Sequence, residues 1–439
     1  IDFKQNALAL VGSLASPMTL DLDAGRIQLA ALKGDMRVSG PKIPNKSVKL
    51  TLDSSLNLDW NLQKADARIN AKLDDSNIKT RVAVNSFDAP VIDFDFEADQ
   101  LDLDRYHSTP LPEKKTAPSG AVPSGASSGG ASSGSAESAP QEDPIQLDAL
   151  QSFDARGDIK IGNLGVAGLQ AQSFNMRVAL ADGRLNLNPM NARFYGGTLA
   201  GNIAVDSHRN AYTIVQNMSG INVGPLLRDL ADKDLLEGRG DVSLDVKTVG
   251  TTPTALKRAL DGNGKLLLKD GALKGVNLAQ LFRKAKAAFG SRSAAEEIAQ
   301  GGEQTDFSDL TASFTLRDGV AHNEDLLMRS PFLRVTGAGD IDIGHSRMDY
   351  VAKVSIVDTS TGQGGKDLEK LRGLTAPVHI SGPLDALKYR LDAGALAKDA
   401  LTRELEKRLG GSESTTETAP SGDKKPKRSE KLLRELFKK

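Results

Sequence analysis

The sequence predicts a mainly β protein: about twenty strands, joined largely as antiparallel hairpins, with only a minor helical share. Three observations carry this. Apolar and polar side chains alternate with period 2 through most of the chain, turn residues recur at short intervals, and few stretches show helical spacing. The clearest run spans 48–62. There Val48, Leu50, Leu52, Leu56, Leu58 and Trp60 alternate with Lys49, Thr51, Asp53, Asn57, Asp59 and Asn61. One face of that strand pair is apolar and the other polar, as in a sheet covered on one side.

Similar alternation at Met18–Leu22, Arg81–Val84 and Ile92–Phe96, the last with Phe94 and Phe96, extends the meander over 1–106. Turns are expected at Ala24-Gly25, Lys33-Gly34, Ser39-Gly40-Pro41 and Asp75-Ser76-Asn77. Residues 107–147 interrupt the pattern with a run of Ala, Ser, Gly and Pro. Such a composition cannot bury enough apolar surface to offset its ordering entropy, so a disordered insertion is expected there, with 116–140 dispensable for folding. From 148 to 410 strands return with helices between them. Val178 and Leu180 open an apolar-x-apolar-x-Asp-Gly unit that ends at Asp182-Gly183. It recurs at Asp270-Gly271 and Asp318-Gly319, each read as a hairpin turn. Helices are expected over 223–236, 254–260, 278–289 and 393–409, and a polar linker with a basic tail over 411–439.

Composition narrows the function. Lys plus Arg number 56 and Asp plus Glu 57, so the chain lacks the basic excess that a nucleic-acid partner demands. It has no cysteine, which excludes disulfides and thiol chemistry. The five histidines fall at 107, 208, 322, 345 and 379, with no metal-ligand spacing, so no metal is expected. The Asp pairs at 21/23, 93/95 and 102/104 read as a solvated sheet face, not a calcium loop. The Gly-rich stretches at 262–265 and 362–366 lack a full phosphate-binding frame and read as turns. No catalytic residue and no cofactor are expected, and an enzyme is the poorer reading. No stretch approaches the ~18 apolar residues of a membrane span. The chain starts at Ile1, and an anchor or export signal is expected upstream of it.

Many one-faced strands with few helices leave apolar surface to be covered. Two sandwiches would do it, and so would one long sheet curling around its own apolar face. A residual groove of that kind suits an alkyl chain.

Residues 305–357 carry a recognisable pattern: Thr305-Asp306-Phe307, Leu310, Phe314-Thr-Leu316-Arg-Asp318-Gly319-Val320, Asn323-Glu-Asp325-Leu326, then Ser330-Pro331-Phe332, Val335, Gly337, Gly339-Asp340, Asp342 and Met348-Asp349-Tyr350. With the helix expected after Asn277 and the later Ala376-Pro377-Val378, this resembles the C-terminal block of the AsmA family of bacterial envelope proteins. The resemblance is specific over roughly 260–395 and weaker from 1 to 260. It implies a long curved sheet forming an apolar-lined groove, an anchor in the inner membrane with the bulk of the chain in the periplasm, and a role in outer-membrane assembly and lipid homeostasis. It brings no catalytic residues; Asp318, Gly319, Gly337 and Gly339 are read as turn positions.

Val48, Leu50, Leu52, Leu56, Leu58, Trp60, Phe94, Phe96, Val178 and Leu180 are therefore the expected groove lining, and a phospholipid or other acyl lipid the expected partner. Taking a sixteen-carbon chain through water costs on the order of 13 kcal/mol at ~0.8 per CH₂, and an apolar trough removes most of that barrier. The alternative is a scaffold or chaperone-like factor for outer-membrane proteins, with envelope protein partners held at sheet edges. A polysaccharide enzyme would need aromatic platforms, and the chain has one Trp. In the tail, Lys431, Leu432, Leu433, Leu436 and Phe437 form a short basic amphipathic pattern, expected to touch an anionic membrane surface.

Overall fold

The computed structural model describes residues 2–5, 8–40, 47–106, 142–278, 304–331, 333–357, 375–392 and 402. The N-terminal strands are β1 (Asp2–Gln5), β2 (Leu8–Ala15), β3 (Met18–Asp21), β4 (Arg26–Ser39), β5 (Ser47–Asp59), β6 (Lys64–Leu73), β7 (Ser76–Asn85) and β8 (Val91–Asp102). There follow β9 (Asp154–Val166), β10 (Leu169–Ala181), β11 (Arg184–Phe194), β12 (Gly197–Asp206), β13 (Ala211–Asn222), β14 (Leu236–Val249) and β15 (Asp261–Lys274). The last are β16 (Gln304–Arg317), β17 (Val320–Arg329), β18 (Leu333–Asp342), β19 (Arg347–Ile356), β20 (Thr375–Pro383) and β21 (Lys388–Leu391). Helix α1 (Val223–Ala231) joins β13 to β14, and α2 (Pro253–Arg258) joins β14 to β15.

All of these strands form one open sheet in chain order, which decides for one long sheet over two sandwiches. β2 and β3 lie end to end against β4: Ala9–Ala15 pairs with Lys33–Ser39, and Met18–Asp21 with Arg26–Leu29. The break between them holds Pro17, which has no N–H to give to the ladder. β1 and β21 are the two ends.

One pairing departs from the antiparallel rule. β8 and β9 run parallel, from Val91 beside Asp154 to Asp102 beside Gly165. The connection over 103–153 must therefore return along the strand length before β9 begins. Its last part is held at α2. The Glu142 carboxylate accepts from Thr254 N at 3.0 Å and Thr254 Oγ1 at 2.6 Å, and Ile145 N donates to Thr251 O at 2.6 Å.

Several local readings change. The helix expected over 223–236 stops at Ala231, where Asp232 takes a left-handed conformation, and Leu236 already belongs to β14. The helix expected over 254–260 is α2, capped by Thr252 Oγ1 accepting from Ala255 N at 3.2 Å. Asp182-Gly183 and Asp318-Gly319 are tight hairpin turns with positive φ at both positions. Asp270-Gly271 is not: it lies inside β15, where a Cβ on Gly271 would stand 2.5 Å from Phe307 Cζ. Lys33-Gly34 and the glycines at 262 and 264 are also strand residues; cross-strand neighbours crowd Gly34 and Gly262, whereas Gly264 has room beside it. Gly337 and Gly339 lie within β18 and not in turns. The segment 107–141, most of 278–289, nearly all of 393–409 and the whole of 411–439 lie outside the described residues. So do Lys431, Leu432, Leu433, Leu436 and Phe437.

Register shifts interrupt the ladder at 29–32, 172–178, 187–190, 218–221, 311–315 and 323–326. Each such bulge adds twist and bends its strand, the means by which a wide sheet curves. The largest buried cluster runs along one face from Phe194 through Ile221, Leu268 and Val335 to Val354 and Val378. Among the described residues no helix is long and apolar enough to cross a membrane.

Candidate functional site

The register places the expected lining on a single face. In β5, Leu56 sits between Leu29 and Ala67, Leu58 between Ile27 and Ala65, and Leu52 between Gly34 and Ala71. Leu50 pairs with Met36 and Leu73, and Val48 with Val38. Phe94 and Phe96 pair with Val82 and Thr80 on one side. Across the parallel junction they meet Gly157 and Ile159. Gly157 in turn meets Val178, and Ala155 meets Leu180, so the apolar face passes the junction unbroken. Trp60 departs from this group: it lies in the turn after β5, at the end of the sheet.

The face continues through Leu187–Ile203–Ile214–Val246 and Val242–Leu266–Ala312 to Met328–Val335–Val354–Ala376. None of the positions in register on it, from Ile27 to Tyr389, is Asp, Glu, Lys or Arg. Its cover changes along the way. Residues of β4 to β8 on this face are mostly half-buried, whereas Val178 and Leu180 are buried, and Leu268, Val354 and Val378 have no exposure left. The trough is open over its first third and closes into a core. The deep positions were not singled out from sequence, although Ala352-x-Val354-x-Ile356 and Ala376-x-Val378-x-Ile380 carry the same alternation.

Among the described residues, the charged pairs at the junction stand on the other face. Asp93 stands beside Arg156 and Glu97 beside Lys160 across the parallel junction, the second pair at 3.4 Å. The Arg156 guanidinium holds Asp93 below the usual carboxylate range. Arg177–Asp158 at 3.0 Å and Arg26–Asp59 at 2.9 Å extend the pattern. These exposed pairs fix register more than they add stability.

A polar knot at Asn323 runs from the apolar face, where Asn323 and Tyr350 are buried, out to Ser313 and Asp325, which are exposed. Tyr350 OH donates to Asn323 Oδ1, and Asn323 Nδ2 donates to Ser313 O and Asp325 Oδ1, both at 2.7 Å. Asp325 also accepts from Ser313 N at 2.8 Å and Oγ at 2.5 Å, which lowers its pKa. Burial pushes the Tyr350 phenol up. The knot ties β16 to β17 where both are bulged, so these side chains hold a bend. Three other polar atoms of this face, Ser54 Oγ, Tyr212 OH and Gln216 Oε1, are buried with no hydrogen-bond partner among the described residues.

A cleft of about 1280 Å³ opens where the strand ends of β8 to β13 meet the turn at Asp104–Tyr106. Its polar groups are engaged in holding the fold. Arg105 meets Asp75 at 3.4 Å, Arg239 donates to Gly220 O at 2.9 Å, and Tyr195 donates to Asp229 at 2.6 Å. Burial and that carboxylate push Tyr195 up to about 12.

Comparison with known proteins adds two matches. A family model described as the AsmA family matches residues 3–326. That stretch includes Thr305–Leu326 and ends before Ser330–Tyr350. Protein AsmA of Escherichia coli (strain K12) is 22% identical over 262 residues, which cover 59% of this chain and 42% of that protein. The chain thus spans less than half the length of this curated relative. No solved structure matches significantly.

Proposed function

The chain belongs to the AsmA family, and on that premise we propose that it is an envelope protein that carries phospholipid acyl chains in its apolar trough. In this reading it is anchored to the inner membrane, works in the periplasm, and supports outer-membrane assembly and lipid homeostasis without catalysis. One observation carries the reading. An apolar face free of Asp, Glu, Lys and Arg continues strand after strand, across the parallel junction, and is only half covered between β4 and β8. An alkyl chain gains ~25 cal/mol for each Å² of apolar surface removed from water there, with no charge to desolvate.

The test is native mass spectrometry of the purified chain, with extraction and chromatography of whatever accompanies it. Co-purifying phospholipid, lost in Leu50→Glu with the fold retained, is the expected result. A chain that folds, arrives without lipid and takes none up from vesicles defeats the proposal. A captured polypeptide in place of lipid would point to the scaffold reading.

A further inference from the structure

Three hairpin turns at one end of the sheet carry apolar side chains where turns normally carry polar ones. The β3–β4 turn presents Leu22, the β5–β6 turn Trp60 and Leu62, and the β7–β8 turn Phe87. Their exposures are 71%, 37%, 59% and 39%.

The turns are locked together as one ledge. Trp60 N donates to Gly25 O at 3.0 Å, and Ser86 N donates to Gln63 O at 2.9 Å. Gln63 Nε2 donates to Asp88 Oδ2 at 3.1 Å. Gly25 is packed so closely on Asn61 that a Cβ there would stand 2.4 Å from its Nδ2. Within the turns, Asp21 accepts from Ala24 N and Asp59 from Leu62 N, both at 2.9 Å, so their shapes are set from inside. Four apolar side chains are thereby held outward on a stiff support.

We propose that this ledge is a membrane contact, with Leu22, Trp60, Leu62 and Phe87 entering the interfacial zone of a zwitterionic bilayer. Trp is the side chain suited to that zone, apolar in its body and able to donate at its edge. Charge selects the lipid. Asp21, Asp23, Asp59 and Asp88 stand around the ledge against Arg26 and Lys64, leaving an acidic excess. That excess is matched by the ammonium or choline groups of phosphatidylethanolamine and phosphatidylcholine, and is repelled by an anionic surface. The Trp60 face offers such a cation a further partner. The contact is independent of what the trough carries.

Trp60 is the sole Trp of the chain, so its emission reports on the ledge alone. Vesicles of phosphatidylcholine and phosphatidylethanolamine should shift that emission to the blue, and bromine-labelled acyl chains should quench it. The double change Leu22→Ser and Leu62→Ser keeps the reporter and should cut vesicle partitioning by more than about tenfold with an unchanged thermal melt. Truncation after Gly422 should leave the Trp60 response intact. Emission that ignores vesicles, a double variant that partitions like the parent, or a response confined to phosphatidylglycerol would each overturn the proposal. Lipid found by extraction in the trough would stand in any of these cases, so the two readings fail separately.

Discussion

The ring of Tyr350 lies over Gly337 of the neighbouring strand, so close that a Cβ on the glycine would stand 2.6 Å from ring Cε1. Phe94 does the same to Gly157, and Phe307 to Gly271. Aromatic side chains use the space that a missing side chain leaves, which packs a bent sheet without a second layer.

Gly337→Ala should therefore cost about 1–3 kcal/mol, the usual penalty of overpacking. Gly264 lies on the same face with its nearest neighbour 3.8 Å from the built Cβ, so Gly264→Ala should be near neutral. Urea unfolding of the two variants checks this, and equal losses would refute the packing argument.

Leu56→Asp places a charge between Leu29 and Ala67 on the half-buried face, and about 2–4 kcal/mol should be lost. Asn57→Lys, one residue away, faces Asp66 on the solvent side and should change the melt little. A similar loss from both would mean that the two faces are not distinguished in solution.

His322 lies between Asp340 at 2.6 Å and Glu324 at 3.1 Å, and these carboxylates, Asp340 foremost, raise its pKa above 6.5. A group whose folded pKa is raised stabilises the fold fully below its unfolded pKa. That contribution is lost as pH rises through the folded value. Stability should thus decline slightly from pH 6 upward through the folded pKa, and His322→Gln should flatten the decline. NMR titration of the ring in Asp340→Asn should show a lower pKa than in the parent; an unchanged value would remove Asp340 as the cause.

The alternation at 48–62 was enough to read the β class and, Trp60 apart, which of these side chains share a face, because period 2 assigns a face without knowledge of partners. Direction of pairing was not legible. Nothing in Asp93, Glu97, Arg156 or Lys160 announces a parallel ladder, since complementary charges meet in either orientation. Glycines misled for a similar reason: Gly271 and Gly337 have the residue type of a turn, but their need is for room beneath Phe307 and Tyr350. Such needs appear only once partners are known.

Sequence composition makes 116–140 dispensable, but the parallel junction sets a length. Between Tyr106 and Glu142 the chain must cover at least one strand, ~40 Å for a twelve-residue strand at ~3.3 Å per residue, plus the sideways path to α2. Deletion of all of 116–140 leaves a reach of about 37 Å at ~3.4 Å per residue, which is too short to keep Glu142 at α2. Folding should survive loss of half the segment, its replacement by Gly and Ser at equal length, and the full deletion too, because the residues kept between Tyr106 and Asp154 still reach ~75 Å; only the full deletion should free Glu142 and Ile145 from α2. Circular dichroism melts of the three variants check this: the full deletion should melt slightly lower than the other two, and a full deletion that does not fold at all would show that 116–140 is needed for more than the α2 contact.

The junction also bears on how the molecule assembles in time. Most neighbouring strands close through a turn of a few residues, whereas β8 and β9 must wait for a loop of about fifty. Relative to a four-residue turn, that closure carries roughly 2 kcal/mol of extra chain entropy. The strands before and after the junction can each zip outward from a local start, and the seam between them joins afterwards. Refolding should then show two phases. The slower should respond to changes at Asp93–Arg156, and to the length of the connecting loop, while the faster ignores both.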